Sequence, residues 1–308
     1  MNPLRVAIVG FGKIARDQHV PAIAATDGVE LVAIASRNAS LPGIPHAATL
    51  DELLHNGQPI DAVALCTPPQ VRQAQATTAL AAGKQVMLEK PPGATVAEIT
   101  PLVTAARAAQ STLFATWHSR FASAVEPARQ LLAGRKVTSV KITWKEDVRV
   151  WHPGQAWIFE AGGLGVFDPA INALSILTRI LPQALFVTSA ELAFPANRDA
   201  PIAAKLALSD AHGLKITADL DFLQTGPQSW DIDIETDGGP VTLSRGGASL
   251  QAGDKQLVDA TDTEYAGLYR RFRELTASGE SDVDLAPLQL VADAFLLGRR
   301  RTVAPFED

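Results

Sequence analysis

Cysteine is almost absent from this chain, with Cys66 alone among 308 residues. No intrachain disulfide can form, and no iron–sulfur cluster can be held by four cysteines of the chain. That usage fits a reducing compartment, and a cytoplasmic location is the expectation. An excess of positive charge is also missing: 27 Lys and Arg face 33 Asp and Glu, for a formal net charge of −6. The one basic cluster, Arg299–Arg300–Arg301, is too short for a surface that must meet many phosphates, so no nucleic-acid partner is expected. A helix end or a subunit contact is the better reading of it. No charged stretch followed by a separate apolar segment opens the chain, which argues against a signal peptide. No apolar run is long enough to span a bilayer, so no membrane partner is expected. His, Cys and Asp never cluster at metal-ligand spacing, and neither Gly-x-Ser-x-Gly nor a P-loop occurs.

Apolar residues, by contrast, make up 47% of the chain, enough for a large core, and the length suggests about two domains. The first elements organise the rest. Val6–Val9 is an unbroken apolar run, suited to a parallel strand buried on both faces. It ends at Gly10-x-Gly12-x-x-Ala15. Gly10 permits a tight turn, Gly12 lets backbone approach a pyrophosphate, and Ala15 lets the following helix lie against the strand. Backbone N–H groups and the helix dipole then face the phosphates. The glycine pattern alone is weak; a preceding strand and a following helix are its confirming context.

Strand and helix alternate through residue 120, the rhythm of a doubly wound parallel sheet. Strands are expected at Val29–Ala35, Ile60–Leu65, Gln85–Leu88 and Thr112–Trp117, and helices at Leu50–His55 and Val71–Ala82. A capping box, Thr95-x-x-Glu98, opens a helix running to about Gln110, with Pro101 as a point of kinking or restart. Where a conventional NAD site has an acidic residue after its second strand, this chain has Ser36–Arg37–Asn38. A carboxylate would repel a 2′-phosphate, whereas Ser36 and Arg37 can bind one, so NADP is favoured over NAD.

After Ala122–Leu132, one more helix, the pattern turns to strands: Lys136–Lys145, Leu185–Phe194, Ala203–Ser209, Leu214–Phe222, Trp230–Thr236 and Pro240–Ser244, with a hairpin turn at Asp237–Gly238–Gly239. Helices at Glu264–Ser278 and Leu285–Leu297 close the chain. The expected fold is α/β: a Rossmann-type domain over 1–120 and an α+β domain with a mainly antiparallel open sheet over 121–308. The last helix and tail are candidates to pack back on the first domain. The exposed face of that sheet is a candidate homodimer contact.

Three stretches put reactive groups at element ends. Glu89–Lys90–Pro91 follows a buried strand, at the sheet edge where α/β ligands sit; Lys90 there can hydrogen-bond a substrate hydroxyl, and a surface turn is the alternative. In Gly162–Asn172, Asp168 and Asn172 lie one helical turn apart on one face, though Asp168 before Pro169 is also a candidate N-cap. Lys145–Glu146–Asp147 and Trp151–His152–Pro153–Gly154 offer hydrogen bonds and a flat face for a sugar; a charged strand end and a turn are the alternative. Cys66, with no basic neighbour in sequence, reads as a small buried residue rather than a nucleophile.

Taken together, the glycine turn, Glu-Lys-Pro and the glycine-rich approach to Asp168 resemble the glucose–fructose oxidoreductase / inositol dehydrogenase family over essentially the whole chain. Longer stretches at 12–19, 89–94, 115–120, 144–148, 151–155 and 165–175 are similar to the NADP-linked L-arabinose 1-dehydrogenases within it. The resemblance implies a cofactor site of Gly10, Gly12, Lys13, Ile14, Ser36, Arg37, Cys66, Thr67, Pro68, Glu89 and Lys90. It implies that Lys90, Asp168 and Asn172 surround the sugar's C1, with His118, Glu146, Trp151, His152 and Trp230 lining the pocket. The family's usual histidine four residues after the aspartate is here Asn172, which cannot shuttle protons. The expected activity is hydride transfer from C1 of L-arabinose to NADP, with NAD as a second cofactor. Alternatives are D-galactose or D-fucose as the sugar, or a non-catalytic NADP-binding sensor.

Overall fold

Val6, Ala7 and Ile8 are fully buried, as an apolar run must be when both faces of its strand are covered. They lie in β1 (Leu4–Val9), with β2 (Val29–Ala35), β3 (His46–Ala47), β4 (Ala62–Leu65), β5 (Gln85–Leu88) and β6 (Leu113–Ala115) alongside. The computed structural model describes residues 2–261 and 263–307. The sheet order is β3-β2-β1-β4-β5-β6 and every pairing is parallel. This is the doubly wound Rossmann arrangement, whose strand order reverses between β1 and β4.

Helices α1 (Val20–Ala24), α2 (Leu50–His55), α3 (Pro69–Ala81) and α4 (Ile99–Ala108) connect the strands. The first of them departs from expectation: a π-helical turn, Ala15–His19, precedes α1. The capping box forms, with Thr95 N–H donating to Glu98 Oε1 at 2.6 Å and Glu98 N–H to Thr95 Oγ1 at 3.4 Å. Because α4 itself starts at Ile99, Pro101 falls in its first turn, where no backbone N–H is needed.

A nine-stranded sheet forms the second unit. Its strands are β7 (Val137–Lys145), β8 (Phe186–Pro195), β9 (Ala203–Ser209), β10 (Lys215–Asp221), β11 (Ser229–Thr236), β12 (Val241–Ser244), β13 (Ser249–Ala252), β14 (Lys255–Asp259) and β15 (Gly298–Val303). They run in the order β14-β13-β12-β11-β7-β10-β9-β8-β15. Most neighbours are antiparallel; β7 with β10 and β8 with β15 are parallel. Alternation along β7 buries Val140, Ile142 and Trp144, the face on which helix α7 (Phe167–Ile180) packs. Helix α5 (Val125–Leu132) lies against α7, and α6 (Val148–Trp151) is a single turn beyond β7. The hairpin at 237–239 is present, closed by Gly239 N–H to Thr236 C=O at 3.1 Å.

Helix α8 (Glu264–Ser278) and helix α9 (Ala286–Leu297) end the helical content. The first unit comprises the chain up to His118 together with Tyr265–Leu285; the second begins at Ser119 and takes the chain up again at Ala286. So the segment clustering with the nucleotide-type sheet is α8, while the last helix and tail cluster with the second unit. Arg299–Arg300–Arg301 is neither helix end nor loop: it is the edge strand β15, with the Arg300 guanidinium 4.9 Å from the centre of the Phe194 ring. Among the described residues, no helix is long and apolar enough to cross a membrane.

Candidate active site

In the first unit, the candidate residues gather at the carboxyl ends of β1, β4 and β5. Gly10 has φ +88°, and a Cβ there would meet Thr67 N and Cγ2 at 2.8 Å; only glycine allows that approach. A Cβ on Gly12 would point into open space, so the glycine leaves backbone accessible to a pyrophosphate and the turn fits a dinucleotide. Lys13 pairs with Asp17 at 2.5 Å, and Ile14 is 37% exposed. Beyond β2, Ser36 is fixed by its N–H to Ala47 C=O at 2.9 Å and by His46 Nε2 against its carbonyl at 2.7 Å, and Arg37 is exposed.

Arg72, on α3 and 3% exposed, fastens the next two loops together. Its guanidinium donates to the carbonyls of Thr67, Glu89 and Pro91. Cys66, Thr67 and Pro68 therefore share a scaffold with Glu89 and Lys90. The Lys90–Pro91 peptide is cis, and Lys90 is half-buried.

Glu89 is engaged by protein groups on both carboxylate oxygens. It is 3% exposed, its Oε1 accepts Tyr265 Oη at 2.6 Å and lies 3.3 Å from His19 Nε2, and its Oε2 accepts the Lys90 N–H. His19, fully buried, meets Tyr269 Oη at 2.8 Å through Nδ1, and His118 stacks on Tyr265 with ring centres 5.1 Å apart. Burial alone would raise the Glu89 carboxyl, but the His19 hydrogen bond, the His19 and His118 charges and the Tyr265 hydroxyl hold it far below the usual carboxylate range. Burial opposes charge on His19, yet Cys66, Tyr269 and Glu89 around the ring hold it well above its ordinary value. Tyr269 is pushed up to about 12, chiefly by burial. Cys66 thus has a basic neighbour, His19, that sequence spacing does not reveal.

In the second unit, the residues after β7 and at the start of α7 form a second group. Period-two alternation carries the buried face of β7 from Trp144 to Glu146, 3% exposed. Trp230 pairs with Trp144 across β11 and β7, and its Nε1 donates to Glu146 Oε2 at 2.8 Å. Glu146 Oε1 lies 3.2 Å from His152 Nε2, and His152 Nδ1 lies 3.9 Å from Asp168 Oδ2. Trp151, 39% exposed, packs its ring 4.8 Å from that of Trp230.

Asp168 is inside α7 rather than its N-cap: the helix begins at Phe167, and Asp168, 2% exposed, sits in the first turn. A carboxylate there is favoured by the helix dipole. Gly165, at φ +55°, makes the entry possible, since a Cβ would meet Pro201 O at 2.2 Å. Asn172 follows one turn later, half-buried. Each unit therefore brings together its share of the expected site residues. Sequence reasoning missed His19, Arg72, Tyr265 and Tyr269; His19 lay in plain view in the Gly12–His19 stretch, but its partners are up to 250 positions away.

Comparison with known proteins gives a consistent result. Residues 4–116 match the GFO/IDH/MocA model, described as an oxidoreductase family with an NAD-binding Rossmann fold. The chain is 47% identical over its whole length, and the whole of its relative, to a galactose 1-dehydrogenase of Pseudomonas fluorescens. It superposes on the crystal structure of a D-galactose-1-dehydrogenase protein from Rhizobium etli with a TM-score of 0.95 at 53% identity, covering 100% of this chain and 99% of that one. KijD10, a 3-ketoreductase from Actinomadura kijaniata in complex with NADP, matches at 20% identity and a TM-score of 0.81 over 98% of this chain and 100% of that one; at that distance the likeness concerns the fold alone.

Proposed function

This chain belongs to the GFO/IDH/MocA oxidoreductase family, and on that premise we propose that it is an NADP-preferring aldose 1-dehydrogenase whose first substrate is D-galactose. The observation that carries this reading is the full-length likeness to the galactose 1-dehydrogenases of P. fluorescens and R. etli. It favours the hexose over L-arabinose, the sugar expected from motif resemblance, and an enzyme over a sensor. L-arabinose differs from D-galactose essentially by the hydroxymethyl at C5. A pocket separates one such carbon by only about 1–3 kcal/mol, so L-arabinose and D-fucose are expected as secondary substrates.

Gly10, Gly12, Lys13 and Ile14 would hold the pyrophosphate, and Ser36 and Arg37 the 2′-phosphate, where a carboxylate would be repelled. A nicotinamide held there would supply the acceptor for the hydride leaving C1. The C1 hydroxyl must lose its proton as the hydride departs and the lactone forms. Asp168 receives that proton. Lys90 donates a hydrogen bond to the C1 oxygen and stabilises the charge that develops on it. Asn172 orients the same hydroxyl. Glu146 and His152 line the sugar pocket, and Trp151 and Trp230 face the sugar's C–H surface.

The test is a panel of D-galactose, L-arabinose, D-fucose and D-glucose with NADP or NAD, following absorbance of the reduced cofactor. D-galactose with NADP should give the highest kcat/KM. No turnover with any aldose would reject the reading.

A further inference from the structure

A buried carboxylic acid that has taken up a proton must lose it before the next turnover, and the Asp168 side chain is only 3% exposed. The groups around His152 offer an exit. Its two ring nitrogens lie toward different carboxylates: Nε2 is 3.2 Å from Glu146 Oε1 and Nδ1 is 3.9 Å from Asp168 Oδ2. We propose that His152 is a proton relay, held by Glu146, that takes the proton from Asp168 at Nδ1 and passes it to water. The proposal rests on the dehydrogenase reading above.

The tautomer follows from the surroundings of Glu146. Its Oε2 is occupied by the Trp230 indole at 2.8 Å, while Oε1 is a buried oxygen with no other hydrogen-bond donor among the described residues. A buried carboxylate oxygen left without a donor is costly, and the donor within reach is a proton on His152 Nε2. With Nε2–H turned to Glu146, the Nδ1 lone pair faces Asp168. The second partner of a histidine sets which nitrogen is basic, as a carboxylate does for the histidine of a hydrolase triad. A modest rotation of the ring, or one bridging water, closes the remaining distance to Asp168.

The ring's other surroundings suit an exit rather than a trap. The His152 N–H donates to Val148 C=O at 2.8 Å, which anchors the residue at the end of α6. One side of the ring lies against Phe222, with centres 5.6 Å apart. The side chain keeps 18% of its surface exposed, against 4% for Glu146 and 3% for Asp168. Asp147, the N-cap of α6, and Arg149 within it are bound to each other at 2.9 Å. Among the described residues, the carboxylates facing the ring are Glu146, from beyond β7, and Asp168, from α7. The proton travels from the C1 hydroxyl to Asp168, from Asp168 to Nδ1, and from His152 to solvent. The hydride leaves separately with the cofactor, so charge and atoms balance.

The experiment compares wild type, His152→Asn and Glu146→Gln across the aldose panel between about pH 5 and 9. For His152→Asn, kcat should fall on the order of 10- to 100-fold with the sugar KM within about threefold, the acidic limb of kcat against pH should move, and added imidazole should restore part of the rate. Glu146→Gln should move the same limb by less. A variant with an unchanged kcat–pH profile and only a raised KM makes His152 a hydroxyl-binding residue and overturns the relay. Wild-type protein inactive on every aldose rejects the dehydrogenase reading, and the relay with it. Should a variant fail to fold, the wild type still decides. Its imidazole nitrogen-15 shifts should show His152 as the Nε2–H tautomer when neutral, and an Nδ1–H tautomer would overturn the relay.

Discussion

Replacing Glu89 with glutamine should destabilise the protein severely although it removes no atom from the core. In the wild type, one oxygen accepts from Tyr265 at 2.6 Å and lies 3.3 Å from His19, and the other accepts the Lys90 N–H. An amide has one acceptor oxygen and one NH₂. Whichever way it is turned, a donor then faces donors, which costs about 1–3 kcal/mol for a buried group. The charge opposite His19 is lost as well. Breaking one side of a buried pair costs roughly 3–5 kcal/mol in total, and both groups are fully enough buried that solvent screening does not reduce it. At an unfolding entropy of about 2.1 cal/mol/K per residue, a loss at the lower end lowers the Tm of a chain of this size by roughly 5 °C. Thermal unfolding followed by circular dichroism near pH 6 is the assay.

The pH dependence has a definite sign. Glu89 is depressed from its ordinary 4.5, so its contribution is present above that value and fades as pH falls toward the folded pKa. His19 is raised from 6.5, so its contribution is complete below that value and fades as pH rises through the folded pKa. The cluster therefore helps most between about pH 4.5 and 6.5, the two ordinary values. The gap in Tm between wild type and Glu89→Gln should narrow on either side. A Tm within about 2 °C of wild type near pH 6 would refute the reasoning.

Other consequences follow from the same geometry. Asp168→Asn should lower kcat roughly 100- to 10,000-fold while leaving NADP binding near normal by fluorescence titration, because a carboxamide cannot take the proton. Lys90→Met should cost a similar factor in kcat, from loss of the hydrogen bond to the C1 oxygen. Arg37→Ala should raise the KM for NADP about tenfold and leave that for NAD nearly unchanged, the pattern of one lost charge-assisted bond of about 1.5 kcal/mol. Gly165→Ala should prevent accumulation of soluble protein, since its Cβ would meet Pro201 O at 2.2 Å in a left-handed backbone.

Local pattern carried much of the fold. Val29–Ala35, Leu50–His55, Gln85–Leu88 and Ala203–Ser209 are legible to the residue, because each is bounded by a cap, a glycine or a change of period. The edge strand β15 was hidden, since three consecutive arginines lack the alternation of a half-buried strand and one is held through the Phe194 ring. The β13–β14 hairpin was hidden by its short, polar sequence. Among the candidate residues, Lys90 and Asp168 stand out in the sequence because element ends and helical spacing expose them. The cluster that anchors the Lys90 loop does not. Tyr265 and Tyr269 belong to a helix that rejoins the first unit after more than a hundred residues in the second, and no local rule reports a pairing at that separation. In the sequence His152 is only a candidate for hydrogen bonding a sugar; its place between two carboxylates depends on β7, α6 and α7 together.

D-galactose carrying deuterium at C1 tests the central claim most directly. Incubated with the protein and NADP, it should transfer the deuterium to the reduced cofactor and leave an unlabelled lactone, both read by mass spectrometry. Deuterium retained in the sugar, or reduced cofactor free of label, would contradict C1 oxidation by this chain.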